Sequence, residues 1–237
     1  MLKAQDIFAG YGKLQILNGV TVEAKPQEVT VIVGPNGSGK STLLKTFAGL
    51  TTIYQGTIEL DGQKITGMAS HKIARSGIAY LPQTDNVFTN LTVTENLRLA
   101  GYTIDVKSYG DRLRRIFQLF PQLSTYTKTK AFNLSGGERQ MLAMALALIR
   151  EPGVIMFDEP TANLAPKIAT QVLNIISSLA KDIGLTILLA EQNAKRALEI
   201  GNAAYLMVGG KNAFAGTARE LLEHKELGRL YLGLLAS

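Results

Sequence analysis

The sequence predicts an α/β fold: a mostly parallel sheet covered by helices, with an antiparallel β part near the N-terminus and a block of helices inserted between two core strands. Three observations carry this. Short apolar runs of strand length, at 29–33, 154–157 and 186–190, alternate with stretches of helical periodicity, the pattern of buried parallel strands. A glycine-rich loop joins the first of those runs to a helix. Around 91–150 the pattern is helical throughout, with Leu113, Ile116, Phe117 and Phe120 spaced three and four apart.

The elements follow in order. Residues 4–8, 20–24, 29–33 and 57–60 read as strands, and Asp61-Gly62 supplies a hairpin turn because both residues tolerate positive φ. Residues 41–49 read as a helix closed by Gly49. A short helix at 70–76 and a strand at 78–81 precede the helical block. Beyond it come strand 154–157, helix 167–181, strand 186–190 and helix 194–200. Leu227, Leu230, Tyr231 and Leu234 are at helical spacing in a last stretch, 221–235, expected to pack on the chain's own core, with a subunit contact as the alternative.

Composition narrows the function classes. The 237 residues are 46% hydrophobic and 19% charged, an ordinary globular balance. With no cysteine, disulfides and thiolate metal sites are excluded, and His71 and His224 lie too far apart in sequence to suggest a histidine metal site. The longest apolar run, 141–149, falls well short of the ~20 residues that span a bilayer. Met1-Leu2-Lys3 opens without a hydrophobic leader pattern. The chain is therefore expected to be soluble and cytoplasmic. The net charge of +6 is scattered, and Arg112, Arg114 and Arg115 read as a solvated helix face, so no nucleic-acid partner is expected.

Gly34, Pro35, Asn36, Gly37, Ser38, Gly39, Lys40 and Ser41 match G-x-x-x-x-G-K-[ST] in the context that the motif needs, after a strand and before a helix. Glycines let backbone N–H groups close around phosphate oxygens, and the helix N-terminus adds its positive dipole end. Lys40 would face the β and γ phosphates. The Ser41 hydroxyl, with Thr42 beside it, would ligate Mg²⁺. Strand 154–157 then ends in Asp158-Glu159. Asp158 is placed to hold the metal through water, and Glu159 to polarise an attacking water as general base.

Leu134, Ser135, Gly136, Gly137 and Glu138 open a helix and resemble the signature of ABC ATPases. With the loop and the acidic strand end, in that family's order, the resemblance covers essentially the whole chain. It implies one domain: a P-loop NTPase core with its antiparallel part at about 1–85 and 151–237, and a helical signature subdomain at about 86–150. It implies ATP and Mg²⁺ as cofactors. Tyr11 resembles the aromatic that stacks on adenine, and Gln83 the glutamine that reaches Mg²⁺ and the nucleophilic water. Ser135, Gly136 and Gly137 would serve ATP held by a second subunit, packed head to tail.

Two positions depart from that pattern. Ala165 stands where the family usually has aspartate, and Gln192 where it has the switch histidine. Gln192 can donate a hydrogen bond to the γ-phosphate but carries no charge. The loop 164–166 together with Glu191-Gln192-Asn193 resembles the smaller of two paired ATPases of branched-chain amino acid importers. The tail Arg229-Leu230-Tyr231-Leu232-Gly233 fits that subgroup and the lipopolysaccharide-export ATPases. The resemblance implies membrane permease subunits, a second ATPase in a heterodimer or homodimer, an indirect link to a solute-binding protein, and a place on the inner face of the cell membrane. It also implies a slow site of its own and a signature lent to the partner. The alternatives are lipid export, a non-transport ABC ATPase, and a regulatory module without turnover.

Overall fold

The structure, a computed structural model, describes residues 1–84 and 86–226. The chain opens with the antiparallel hairpin β1 (Leu2–Tyr11) and β2 (Leu14–Ala24). Strand β3 (Val29–Val33) leads through the glycine loop into α1 (Lys40–Phe47). Strands β4 (Thr52–Leu60) and β5 (Gln63–Lys64) form a second hairpin. Its turn holds Asp61 at φ 49° and Gly62 at φ 78°. Next come α2 (Ser70–Arg75) and β6 (Ile78–Leu81). The helical block is α3 (Val93–Ala100), α4 (Val106–Leu119), α5 (Pro121–Thr125), a 3₁₀ turn (Ala131–Asn133) and α6 (Gly136–Leu148). The chain then alternates β7 (Val154–Asp158), α7 (Pro166–Ile183), β8 (Thr186–Glu191) and α8 (Ala194–Ile200). A further hairpin, β9 (Ala203–Val208) and β10 (Lys211–Thr217), precedes α9 (Ala218–Glu223).

Among the described residues, six strands form the central sheet in the order β10-β9-β3-β8-β7-β6, parallel except for the edge strand β10. Every residue of β3, β7 and β8 is buried, because both faces are covered. Ile32, Met156 and Leu188 pack against α1 (Leu43, Leu44, Phe47) and the separate antiparallel sheet β2-β1-β4-β5. Val31, Phe157 and Leu189, one residue out of phase, pack against the helices through Leu97, Leu142 and Ile176. This parity decides which strand-end side chains reach which face. The register sets Val33 opposite Glu191 and Asp158 opposite Ala190, so the carboxyl ends of β3, β7 and β8 emerge together. Ligands of parallel α/β sheets bind at that edge.

Several elements differ from the sequence reading in extent. β1, β2 and β4 run longer than their apolar cores, since their outer residues face solvent and irregular register breaks the alternation. One such break holds Asp6 at φ 50°. The helical block is interrupted at Gly101 and again at Phe120, where Pro121 starts a new helix. The β9–β10 hairpin has no counterpart in the sequence reading. Helix α9 runs from Ala218 to Glu223 and residues 225–226 are helical again; Leu227, Leu230, Tyr231, Leu234 and the tail motif lie outside the described residues.

Candidate active site

The glycine loop is fixed by its backbone. Gly34 sits at φ 151°, and a Cβ there would lie 2.2 Å from the Met207 carbonyl oxygen, so only glycine fits. Gly37 and Gly39 also take positive φ, at 76° and 103°. The Ser38 N–H donates to Pro35 O (3.1 Å), and the Gly210 N–H to Ser38 O (3.0 Å), which ties the loop to the β9–β10 turn. No side chain caps α1, leaving its first N–H groups free for an anion. Lys40 is buried; its Nζ donates to Gly34 O (2.9 Å) and Pro35 O (3.3 Å) and lies 3.6 Å from Glu159 Oε1. Asn36 through Thr42 line a cavity of about 220 Å³ with Ile16 and Glu159.

Across that cavity lie the acids of β7. Asp158 is buried, and each of its oxygens accepts one hydrogen bond: Oδ1 from the Ser41 hydroxyl (2.8 Å), Oδ2 from the Tyr80 phenol (2.9 Å). Tyr80 was not singled out in the sequence. Parity could have found it, because β6 runs parallel to β7 and Tyr80 shares the face of Met156 and Asp158. Burial, and then the adjoining Asp158 carboxylate, push the Tyr80 phenol far above its ordinary range, so it remains a donor. Glu159 holds the left-handed backbone, at φ 49°, a conformation that costs a non-glycine residue about 1–3 kcal/mol. Its N–H donates to Ala190 O (2.9 Å), and its Oε2 accepts from Gln83 Nε2 (3.2 Å).

Ser41, Asp158 and Gln83 thus offer a hydroxyl, a carboxylate and a carboxamide around one edge of the loop. Among the described residues no three His, Cys, Asp or Glu are arranged to hold a metal ion by themselves. A sparse, all-oxygen donor set suits Mg²⁺, which keeps phosphate and water ligands, and does not suit zinc. The residues present therefore fit the metal that the sequence predicts.

The remaining predicted residues lie apart. Tyr11 ends β1 with an exposed ring, and Ile16 of the same hairpin, not Tyr11, lines the loop cavity. The hairpin turn is held by Tyr54, whose hydroxyl donates to Gly12 O (2.9 Å). Ser135 caps α6 in a reciprocal box: its Oγ accepts from the Glu138 N–H (3.3 Å), and Glu138 Oε2 accepts from the Ser135 N–H (2.8 Å). Burial raises the Glu138 carboxyl, but hydrogen bonds from Ser135 and Tyr126 outweigh it, leaving the group below its usual range. Gly136 and Gly137 allow close approach of Leu164 and Ile168; a Cβ at Gly137 would sit 2.7 Å from Ile168 Cγ2. Ser135, Gly136 and Gly137 do not line the loop cavity.

Gln192 is exposed on the rim of a second cavity of about 590 Å³, lined also by Glu159, Thr161, Glu191 and Arg196. Ala165 occupies the N-cap position of α7 in extended geometry, with Pro166 at the first helical position and no side-chain cap. Ala165→Asp will therefore supply the missing acceptor and stabilise the fold by about 0.5–2 kcal/mol. That is an increase of ~2–4 °C in Tm per kcal/mol, readable by thermal melting. An unchanged or lower Tm would show that the helix start is already satisfied.

The family described as "ABC transporter" matches residues 17–162, more than half of the chain. A probable branched-chain amino acid transport ATP-binding protein, LivF of Archaeoglobus fulgidus, is 52% identical over 235 residues, covering 99% of this chain and 100% of that protein. The high-affinity branched-chain amino acid transport ATP-binding protein BraG of Pseudomonas aeruginosa is 38% identical over 233 residues, covering 98% and 100%. Among solved structures, the ADP conformation of an ATP-binding cassette of an ABC transporter superposes with a TM-score of 0.87, at 26% identity and 97% coverage of both chains.

Proposed function

The chain belongs to the ABC transporter family as an ATP-hydrolysing, ATP-binding subunit, and from that premise we propose that it powers uptake of branched-chain amino acids. The observation that carries the substrate class is 52% identity along the full length to a protein named for that transport.

The assignment of roles rests on the geometry. Lys40, held by two loop carbonyls, is aimed to meet the β and γ phosphates of ATP. Bound Mg²⁺ would neutralise phosphate charge, held by Ser41 and Asp158 with Gln83 nearby. Glu159 takes the proton of the attacking water, and Gln83, bonded to its carboxylate, helps orient that water. Gln192 donates to the γ-phosphate, and Tyr11 offers its exposed ring to adenine. Ser135, Gly136 and Gly137 reach the ATP of a second subunit. Their separation from this chain's own loop cavity supports that reading.

The partners follow. Membrane permease subunits contact the helical part at about 86–150, where Phe88, Tyr102 and Phe132 expose large apolar surface. A second ATPase completes the pair, a different chain in the assembled transporter and a second copy when this chain is alone, and a solute-binding protein acts through the permease. Among the described residues no helix is long and apolar enough to cross a membrane. The chain is held at the inner face by its permease. The uncharged Gln192 supports a slow site here and a faster one in the partner, to which this chain lends its signature.

The substrate assignment is tested by reconstituting the chain with its permeases, partner ATPase and binding protein in proteoliposomes containing ATP. Labelled leucine should accumulate and be competed by isoleucine and valine. Intact ATP hydrolysis without leucine uptake would overturn the substrate and leave the ATPase assignment standing.

A further inference from the structure

Glu191 ends β8 as a buried carboxylate that no predicted role employs. Among the described residues no lysine or arginine forms an ion pair with it. An unpaired buried carboxylate is costly unless its oxygens are filled by donors. Here they are. Oε1 accepts from the Thr161 N–H (3.1 Å) and the Thr161 hydroxyl (2.7 Å), and Oε2 from the Gln192 N–H (3.2 Å).

The three donors come from the two segments that flank the reacting phosphate in the reading above. Thr161 lies two residues after Glu159, and Gln192 follows Glu191 directly. The loop from Glu159 to Pro166 is fastened to the β8–α8 side at three points. The Glu159 N–H donates to Ala190 O (2.9 Å), Thr161 binds Glu191, and Pro166 O accepts from Arg196 Nη1 (3.3 Å). Of these, only Glu191 also holds the backbone of Gln192. Burial, with Glu159's negative charge nearby, pushes the Glu191 carboxyl upward, while the three donors pull it back.

We propose that Glu191 is a positioning residue that joins the Glu159 loop to the Gln192 loop and sets both against the γ-phosphate. It acts through Thr161 and Gln192, to which its two oxygens are bonded. The proposal rests on the roles assigned above to Glu159 and Gln192.

The test compares kcat, ATP affinity and Tm for Glu191→Ala, Glu191→Gln and Thr161→Val. Misplacing a reacting group by about 1 Å costs up to ~100-fold in rate. Glu191→Ala should lower kcat by about 10- to 100-fold with ATP affinity within roughly threefold of the parent. Glu191→Gln, which keeps an oxygen for Thr161, should recover most of that loss. Adding Thr161→Val to Glu191→Ala should cost little more, because both act through one contact. If Glu191→Ala fails to fold, Thr161→Val carries the test, with a kcat loss of a few-fold at constant affinity. A lowered Tm with kcat per folded chain unchanged, or weakened ATP binding with kcat intact, would overturn the proposal. If Glu159→Gln leaves hydrolysis unaffected, the underlying reading has failed instead.

Discussion

Glu159→Gln will leave ATP binding intact and cut hydrolysis by about 10²–10⁴-fold, the range of general-base catalysis. Glutamine keeps the shape of the side chain and can still face Gln83, 3.2 Å away. It cannot take a proton from water. It also loses the charge that lies 3.6 Å from Lys40, so Lys40 keeps only its loop carbonyls and whatever phosphate it meets. In the proposed pairing, ATP bound without turnover would act as glue between two chains. Size-exclusion chromatography should show an ATP-dependent shift to twice the mass for this variant. Hydrolysis at the parent rate would remove Glu159 from the mechanism, and a size that ATP never alters would remove the two-chain arrangement for this subunit alone.

Lys40→Ala should abolish hydrolysis and weaken ATP binding by one to two orders of magnitude or more. A hydrogen bond to a charged group is worth about 1.5–3 kcal/mol, and Lys40 would make at least one to phosphate. Every 1.4 kcal/mol is a factor of ten in affinity. The variant also leaves the Gly34 and Pro35 carbonyls without their ammonium partner, which loosens the loop around the phosphates. Isothermal titration with ATP measures the loss. Affinity equal to the parent's would mean that nucleotide binds elsewhere.

The phosphate loop was legible because its motif is local. Spacing, glycines, a strand before and a helix after are all written within a few residues, and the structure keeps them in that order. Asp158 was legible for the same reason, as the polar end of an apolar strand. Ser135 was legible as a helix start, and its capping box with Glu138 is visible in the spacing of the two residues. Tyr80 was not, since its meaning comes from lying beside β7 in parallel register, a long-range pairing. Glu191 was read only as part of a family pattern, although it carries three hydrogen bonds to two loops. The β9–β10 hairpin was missed although β9 is an apolar run, because β10 alternates exposed and half-buried residues and presents no apolar run to pair with it. The antiparallel strands were drawn short where one face meets solvent. Local chemistry was readable; contacts made by sheet register were not.

This chain should hydrolyse ATP at the Gly34–Thr42 loop in a site completed by a second subunit. The most direct test is Mg²⁺-dependent ATP hydrolysis by the purified chain as a function of its own concentration, beside Lys40→Ala. Turnover should be slow, rise per chain with concentration, and vanish with Lys40→Ala. Turnover that is independent of concentration, or that survives the loss of Lys40, would rule out hydrolysis at this loop in a paired site.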